Sequence, residues 1–192
     1  MMPPVADAGR TFDPDTFMVT DLVPSPNFDD RIGGPPYLIL LHYTGMRTGE
    51  AALARLTSAD SKVSSHYVVF EDGRVVQCVS EDKRAWHAGV SHWAGATDIN
   101  SRSIGIEIVN PGHEFGYRPF PDEQIASLIP LVADIKGRVS NPARYCTVPA
   151  GFEMLDWSPA LDQPAIDAAG AAQTGPFPRS WVAVQNVLGA AE

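Results

Sequence analysis

The sequence predicts an α/β fold on three observations. Two apolar runs of strand length, residues 37–44 and 103–110, each carry one chemically active polar side chain, His42 in the first and Glu107 in the second. Residues 48–56 and 121–139 repeat apolar side chains at helical spacing. The Asp72-Gly73 pair separates the strand-like runs 63–70 and 74–79, which indicates a hairpin because glycine accepts a positive φ in a tight turn.

The remaining segments are less regular. Thr48 is placed to cap the first predicted helix. Pro130, inside the second helix, predicts a kink or a break because proline has no N–H to donate. Residues 85–101 are rich in Trp, His and Gly without any period, and we expect an aromatic loop of the kind that often forms a binding surface on a rigid frame.

Length and composition indicate one domain in 192 residues, with an irregular leader at 1–35, a core at 36–145 and a divergent C-terminal region at 146–192. The net charge of −9 argues against a nucleic-acid partner, which needs a basic surface. Two cysteines provide no disulfide framework, and Cys78 lies in a strand-like run as an expected buried thiol. With no membrane-spanning apolar run and no signal-peptide pattern at the start, we expect a cytoplasmic protein.

His42 and Glu107 are the strongest candidates for chemistry. A carboxylate inside a β-branched run is costly to bury unless a charged or hydrogen-bonding group faces it. A zinc hydrolase uses three protein ligands and one bound water, and a nearby carboxylate takes the proton of that water. The alternative for His42 is a histidine that closes its strand and bonds to the backbone.

Residues 38–121 contain six motifs that match a known family in one order and spacing. They are Leu40-Leu-His-Tyr-Thr-Gly-Met46, Lys62-Val-Ser-Ser-His-Tyr67, Glu71-Asp-Gly-Arg74, Arg84-Ala-Trp-His-Ala-Gly-Val90, Asn100-Ser-Arg-Ser-Ile-Gly-Ile-Glu107 and Asn110-Pro-Gly-His113. In these motifs the chain resembles the N-acetylmuramoyl-L-alanine amidases of the bacterial peptidoglycan-recycling type, the AmpD-like branch of the amidase-2 family. The resemblance implies an α/β single domain with a central mixed β-sheet flanked by helices and zinc in a groove on one side.

The resemblance also implies roles for single residues. His42 matches the first zinc histidine, and Glu107 matches the general base. His66 matches a strand histidine that is no ligand in the family and is interpreted as structural, and His92 is interpreted as a solvated loop residue. For His113 a turn histidine that bonds to the backbone is an equal alternative. The candidate substrate-binding residues are Tyr43, Trp86, His87, Asn110 and His113.

The family pattern is interrupted after Arg144. The family has a second zinc histidine there and, later, an aspartate ligand with a lysine that stabilises the oxyanion. In this chain no histidine follows His113 and no lysine follows Lys136. Asp162 is the best candidate for the third ligand, with an ordinary loop aspartate as the alternative. Conceivable substitute ligands are Glu153, Asp156 and Cys146.

The function implied by the resemblance is zinc-dependent hydrolysis of the amide between the muramoyl lactyl group and L-alanine in peptidoglycan fragments. The first alternative is a catalytically impaired homologue that binds muropeptides without cleaving them. A second is a degenerate gene product whose last segment no longer completes the sheet. The expected partners are muropeptides, with no protein partner evident.

Overall fold

The computed structural model describes residues 12–93 and 96–138. Its helices are α1 (Gly49–Leu56), α2 (Gly112–Phe115) and α3 (Asp122–Arg138), with 3-10 helices at Ala59–Ser61 and Ile99–Arg102. In chain order the strands are β1 (Asp21–Leu22), β2 (Phe28–Asp30), β3 (Leu38–Tyr43), β4 (Tyr67–Val69), β5 (Val75–Gln77), β6 (Lys83–Ala85), β7 (His92–Trp93), β8 (Ala96–Thr97) and β9 (Ser103–Ile108).

The largest sheet in the described part of the chain has five strands in the order β1-β5-β4-β9-β3. Strand β9 runs parallel to both β3 and β4, β4 is antiparallel to β5, and β1 is parallel to β5. The pairs β2-β6 and β7-β8 form two small antiparallel sheets. The mixed sheet with flanking helices that the resemblance implies is therefore confirmed.

The central sheet is covered by helices on both faces. Leu128, Leu131 and Ile135 of α3 pack with alternate residues of β4, β5 and β9 in one buried cluster. On the other face, Ala52 and Leu56 of α1 pack with the intervening strand residues in a second cluster. Successive strand side chains point to opposite faces, so β4 and β5 each contribute to both clusters.

Strand β9 is buried along its whole length, as its apolar sequence predicts. Ile104, Ile106 and Ile108 belong to the cluster beneath α3. By alternation, the side chains of Ser103 and Glu107, and the open face of Gly105, lie on the opposite side of the sheet. This one strand thus separates an apolar face from a polar one.

The local signals in the sequence are confirmed at α1 and at the hairpin. The hydroxyl of Thr48 accepts a hydrogen bond from the backbone N–H of Ala51 at 3.2 Å, which caps α1. Gly73 adopts a φ of +83°, and its N–H bonds to the Phe70 carbonyl at 3.0 Å. Strand β4 is shorter than predicted, since the backbone N–H of Ser64, shortly before it, bonds to the Trp86 carbonyl at 3.0 Å and not to a strand of the central sheet.

Residues 12–35 of the predicted irregular leader include two short strands, β1 and β2. The N–H groups of Thr20 and Val23 bond to the carbonyls of Val75 and Gln77 at 2.9 and 3.0 Å. The leader thus fills the open edge of β5. Its Pro, Asp and Gly content hid these strands, because two or three residues give no period to detect.

The prediction of a plain loop at 85–101 is wrong in part. The segment begins in β6, contains the short strands β7 and β8, and ends in the 3-10 helix Ile99–Arg102. Elements of two to four residues are stabilised by tertiary contacts, so no local sequence signal indicated them.

Pro130 does not break the second predicted helix, since α3 runs without interruption from Asp122 to Arg138. Pro130 is exposed, whereas its neighbour Leu131 is fully buried against the sheet. The apolar face of α3 therefore keeps the helix intact although one backbone hydrogen bond, to the Ala126 carbonyl, is missing.

Cys78 is a free cysteine buried in the core, as its strand-like run predicts. Burial raises the pKa of its thiol to about 12, as expected of an inert core thiol. Within the described ranges, no helix has the length and apolar content needed to cross a bilayer.

We predict that Pro130→Ala stabilises the protein by about 1–3 kcal/mol, because alanine restores the missing N–H at an exposed position of a helix that already exists. Urea unfolding followed by circular dichroism measures the change. Lys136→Ala, at another exposed position of α3, is the control and should change stability by about 0.5 kcal/mol or less. A Pro130→Ala protein no more stable than wild type would contradict this account of α3.

Candidate active site

The structure brings His42 and Glu107 together. Strands β3 and β9 are parallel neighbours, and their register pairs His42 with Glu107. Paired residues on adjacent strands lie on the same face, with the two backbones about 4.8 Å apart. Each side chain is only 1% exposed. The two predicted reactive groups therefore share one buried position on the sheet, on the face opposite α3.

A chain of hydrogen bonds leads from His42 into the core. Nε2 of His42 lies 3.0 Å from Nδ1 of His87, with the rings nearly perpendicular at 69°. Nε2 of His87 lies 3.2 Å from the hydroxyl of Ser103, and that hydroxyl donates to the Ile99 carbonyl at 2.6 Å. His87 therefore lies in the middle of this chain, between the candidate ligand His42 and Ser103.

The backbone and ring of His87 are held separately. The side-chain oxygen of Asn100 accepts hydrogen bonds from the N–H groups of His87 and Ala88 at 3.0 and 2.7 Å. The ring packs so closely on Gly105 that a Cβ added there would clash with it. The glycine is thus required by a close approach and not by backbone conformation.

His66 is a structural residue in this arrangement, which agrees with its interpretation from the sequence. Its Nδ1 accepts the N–H of Gly105 at 2.9 Å, and its Nε2 lies 3.0 Å from the Lys83 carbonyl and 2.9 Å from the Arg31 guanidinium. Burial and the neighbouring Arg31 guanidinium lower the pKa of His66 to about 3. His66 therefore stays neutral, and just before β4 its ring serves as the acceptor for the backbone N–H of Gly105.

Glu107 lies in an environment that favours its protonated form. Burial raises the pKa of its carboxyl to about 8. Its Oε2 has no hydrogen-bond partner among the residues that the structure describes. A buried carboxyl oxygen without a partner is costly, and a cation or a ligand hydrogen-bond donor would relieve that cost.

Trp86 lies beside this site but interacts with the leader. Its indole N–H donates to Asp29 at 2.7 Å, and its backbone N–H donates to the Ser64 hydroxyl at 2.8 Å. Asp29 also pairs with Arg84 at 2.8 Å. Trp86 is only half buried, so its ring is held in a fixed orientation while part of it remains accessible.

Tyr43, Asn110 and His113 lie further along the C-terminal ends of β3 and β9. Tyr43 pairs with Ile108, so it leaves the strand on the face opposite His42, and its hydroxyl is 3.3 Å from Nδ1 of the exposed His113. The amide of Asn110 bonds to the Arg118 carbonyl and the Gly112 N–H at 2.7 and 2.9 Å. Asn110 is thus occupied in shaping the turn.

The described residues do not by themselves form a three-ligand metal cage. Within residues 12–93 and 96–138 no three His, Cys, Asp or Glu side chains group together as metal ligands. His42 fits as a single ligand, because its Nε2 is engaged by His87 and its Nδ1 can keep a basic lone pair. The other predicted or substitute ligands, Asp162, Glu153, Asp156 and Cys146, lie outside the described residues.

Several residues of this site were not predicted from the sequence. Asn100, Ser103 and Gly105 support His87, and Arg31 donates to the carbonyls of Asn100, Ser101 and Ser103 at 3.0–3.1 Å. Positions 103, 105 and 107 alternate along β9, so a period of two in polar or small residues was the available signal. Arg31 had no such signal, since it reaches the site from the leader.

Comparisons with known proteins agree with this geometry. Residues 32–150, more than half of the chain, match the family model described as N-acetylmuramoyl-L-alanine amidase (Amidase_2). The AmpD amidase of Salmonella typhimurium SL1344 is 32% identical over 165 residues, which cover 76% of this chain and 87% of that protein. The AmiD amidase of Escherichia coli K12 is 42% identical over 113 residues, which are 53% of this chain but only 40% of AmiD.

Solved structures of amidases have a similar fold. A crystal structure of a selenomethionine derivative of AmpD aligns with a TM-score of 0.56 at 30% identity, over 65% of this chain and 76% of that one. AmpDh3 from Pseudomonas aeruginosa, in complex with an anhydromuramic pentapeptide, aligns with a TM-score of 0.51 at 27% identity, over 76% of this chain and 56% of that one. The fold, the matched range and the shared sequence together show that this chain belongs to the N-acetylmuramoyl-L-alanine amidase (Amidase_2) family.

Proposed function

We propose that this protein hydrolyses the amide between the muramoyl lactyl group and L-alanine in peptidoglycan fragments. The observation that carries the proposal is the in-register pairing of His42 with Glu107 on one face of the sheet. Family membership supports it, as does the anhydromuramic pentapeptide bound to AmpDh3. The cytoplasm is the compartment that we propose for this reaction.

Glu107 is the group that moves a proton. Amide hydrolysis needs a base that takes a proton from the attacking water and returns it to the leaving amine. With a pKa raised to about 8 by burial, Glu107 is mostly protonated at neutral pH in the metal-free protein. A positive charge beside it would lower that pKa and make the carboxylate available. Its burial thus suits a site that becomes active only when a cation is present.

Zinc is the cofactor that we propose, with His42 as one ligand. Bound zinc supplies a water of lowered pKa and polarises the scissile carbonyl. Asp162 is the candidate among residues 139–192 for a further ligand, as family resemblance implies. His42 has the donor chemistry for this role, because a neutral imidazole nitrogen is among the ligands that zinc prefers.

The residues predicted to bind substrate divide into two groups by burial. Trp86 is half buried and His113 is exposed, so both can contact a muropeptide directly. His87 and Asn110 are buried and hydrogen-bonded within the protein, so we propose that they act by positioning their neighbours. Tyr43 acts on His113 through its hydroxyl.

We predict that Glu107→Gln lowers the rate of peptide release by about 10²- to 10⁴-fold, because glutamine keeps the shape of the side chain but cannot accept a proton. The assay is chromatographic detection of free peptide from an anhydromuramoyl peptide. Glu71→Gln, in the exposed hairpin turn, is the matched control and should retain full activity. If wild type binds the muropeptide by calorimetry yet releases no peptide, the protein is the non-cleaving homologue and the proposed reaction is wrong.

Removal of the candidate ligand tests the metal. We predict about one zinc per wild-type chain by elemental analysis, and a zinc affinity about tenfold or more weaker in Asp162→Ala, since ligand removal should cost at least as much as loss of a supporting hydrogen bond. Asp167→Ala, five residues away in the sequence, is the control and should bind zinc as wild type does. Equal affinities in the two variants would rule out Asp162 as a ligand.

The raised pKa of Glu107 predicts how the free energy of unfolding depends on pH when a chelator keeps the protein free of metal. Between pH 4.5 and about 8 the folded state keeps a proton that the unfolded chain releases, so this group makes the free energy of unfolding fall as pH rises through that window. Glu107→Gln cannot titrate, so its stability relative to wild type should increase by a few kcal/mol from pH 5 to pH 8.5. Urea unfolding across pH measures this difference, and parallel curves for the two proteins would contradict a raised pKa.

A further inference from the structure

His87 occupies a position that substrate contact does not explain. Its side chain is fully buried, between the rings of His42 and His66 at centroid distances of 5.2 and 5.6 Å. Both ring nitrogens have protein partners, namely His42 on one side and Ser103 on the other. A group without exposed surface or remaining polar atoms acts on the reaction through its neighbours.

The partners of Ser103, at the far end of this chain of hydrogen bonds, determine which ring nitrogen carries the proton in His87 and in His42. A hydroxyl has one proton, and Ser103 donates its proton to the Ile99 carbonyl, because a carbonyl can only accept. The Ser103 oxygen then accepts from Nε2–H of His87. A neutral His87 with its proton on Nε2 has a lone pair on Nδ1, so Nε2–H of His42 is the donor in the contact between the two rings.

The contacts of His87 are those of a ring with one proton. The Ser103 oxygen is the acceptor for its Nε2–H, and its Nδ1 faces Nε2 of His42, so one proton on each ring satisfies both contacts. The order of protons is therefore set at the Ser103 end.

The position of the ring is fixed as firmly as its protons. Asn100 holds the backbone of His87, and Gly105 leaves the space in which the ring lies. Asn100, Ser103, Gly105 and Glu107 fall within one continuous motif of eight residues. One short segment thus supplies both the candidate base and the complete support for His87.

We propose that His87 is a positioning residue which, through Ser103, holds His42 with its proton on Nε2 and so leaves Nδ1 as the nitrogen that meets the ligand. The inference rests on the proposed function for the identity of that ligand, a zinc ion. The tautomer and orientation of His42 are properties of the metal-free protein. They can be measured without any activity.

The direct test is nitrogen-15 NMR of the metal-free wild-type protein. We expect the proton on Nε2 of His42 and a scalar coupling across the hydrogen bond to Nδ1 of His87. A proton on Nδ1 of His87, or no coupling between the two nitrogens, would overturn the proposal. If the coupling is present but the protein neither binds zinc nor releases peptide, the positioning role stands and the proposed function falls.

Substitution of Ser103 tests which groups donate and which accept along these hydrogen bonds. In Ser103→Ala the Nε2–H of His87 loses its acceptor, and a buried donor without a partner is costly. We expect a second tautomer to appear, with the proton on Nδ1 of His87 and His42 as the acceptor. A Ser103→Ala spectrum with the wild-type tautomers alone would show that Ser103 does not set the order.

A pair of variants at position 87 separates positioning from packing. The side-chain oxygen of asparagine can accept from Nε2–H of His42 as Nδ1 does, whereas leucine fills the space without an acceptor. We expect His87→Leu to weaken zinc binding by about 10- to 100-fold and to lose the slowly exchanging ring proton of His42, and His87→Asn to restore much of both. Equal losses in the two variants would contradict the positioning role, and the wild-type spectrum decides if either fails to fold.

Discussion

The parallel pairing of β3 with β9 is the constraint on which the rest of the site depends. It joins residues more than sixty positions apart in the sequence and places His42 beside Glu107. Because side chains alternate along a strand, a shift of register by one residue would turn Glu107 toward the apolar cluster beneath α3. The packing of Ile104, Ile106 and Ile108 against α3 opposes that shift. The hydrophobic core thus specifies the register that the chemistry requires.

The polar face of β9 and the two histidines packed on it include several groups that oppose folding. A protonated Glu107, two neutral histidines and a glycine occupy positions where large apolar residues would stabilise the sheet more. Their ring and backbone hydrogen bonds offset part of this cost, and the apolar face of the same strand offsets more. A strained or poorly solvated active site on a stable frame is a common compromise between stability and activity.

The leader contributes to the site in a way that its composition conceals. Arg31 donates to four backbone carbonyls, three of them in the segment that supports His87, and Asp29 holds the indole of Trp86. Burial lowers the pKa of Arg31 to about 10, which still leaves the guanidinium charged at neutral pH. Charged groups of the leader therefore orient two motifs that are far from it in the sequence.

The sequence alone determined the elements whose causes are local, and the residues that matched a family in order and spacing. The cap at Thr48, the turn at Gly73 and the apolar period of α3 each follow from neighbouring residues. Local sequence also identified His42 and Glu107, because a polar group inside an apolar strand is costly to bury unless it has a partner.

Tertiary structure decided what depends on distant partners. The strands of the leader exist because β5 has an open edge, and α3 continues through Pro130 because its other face is buried. His87 looked like a groove residue in the sequence, yet the structure places it behind His42, between that ring and Ser103. The direction of a hydrogen-bond chain depends on which groups meet in space, and a linear pattern does not contain that information.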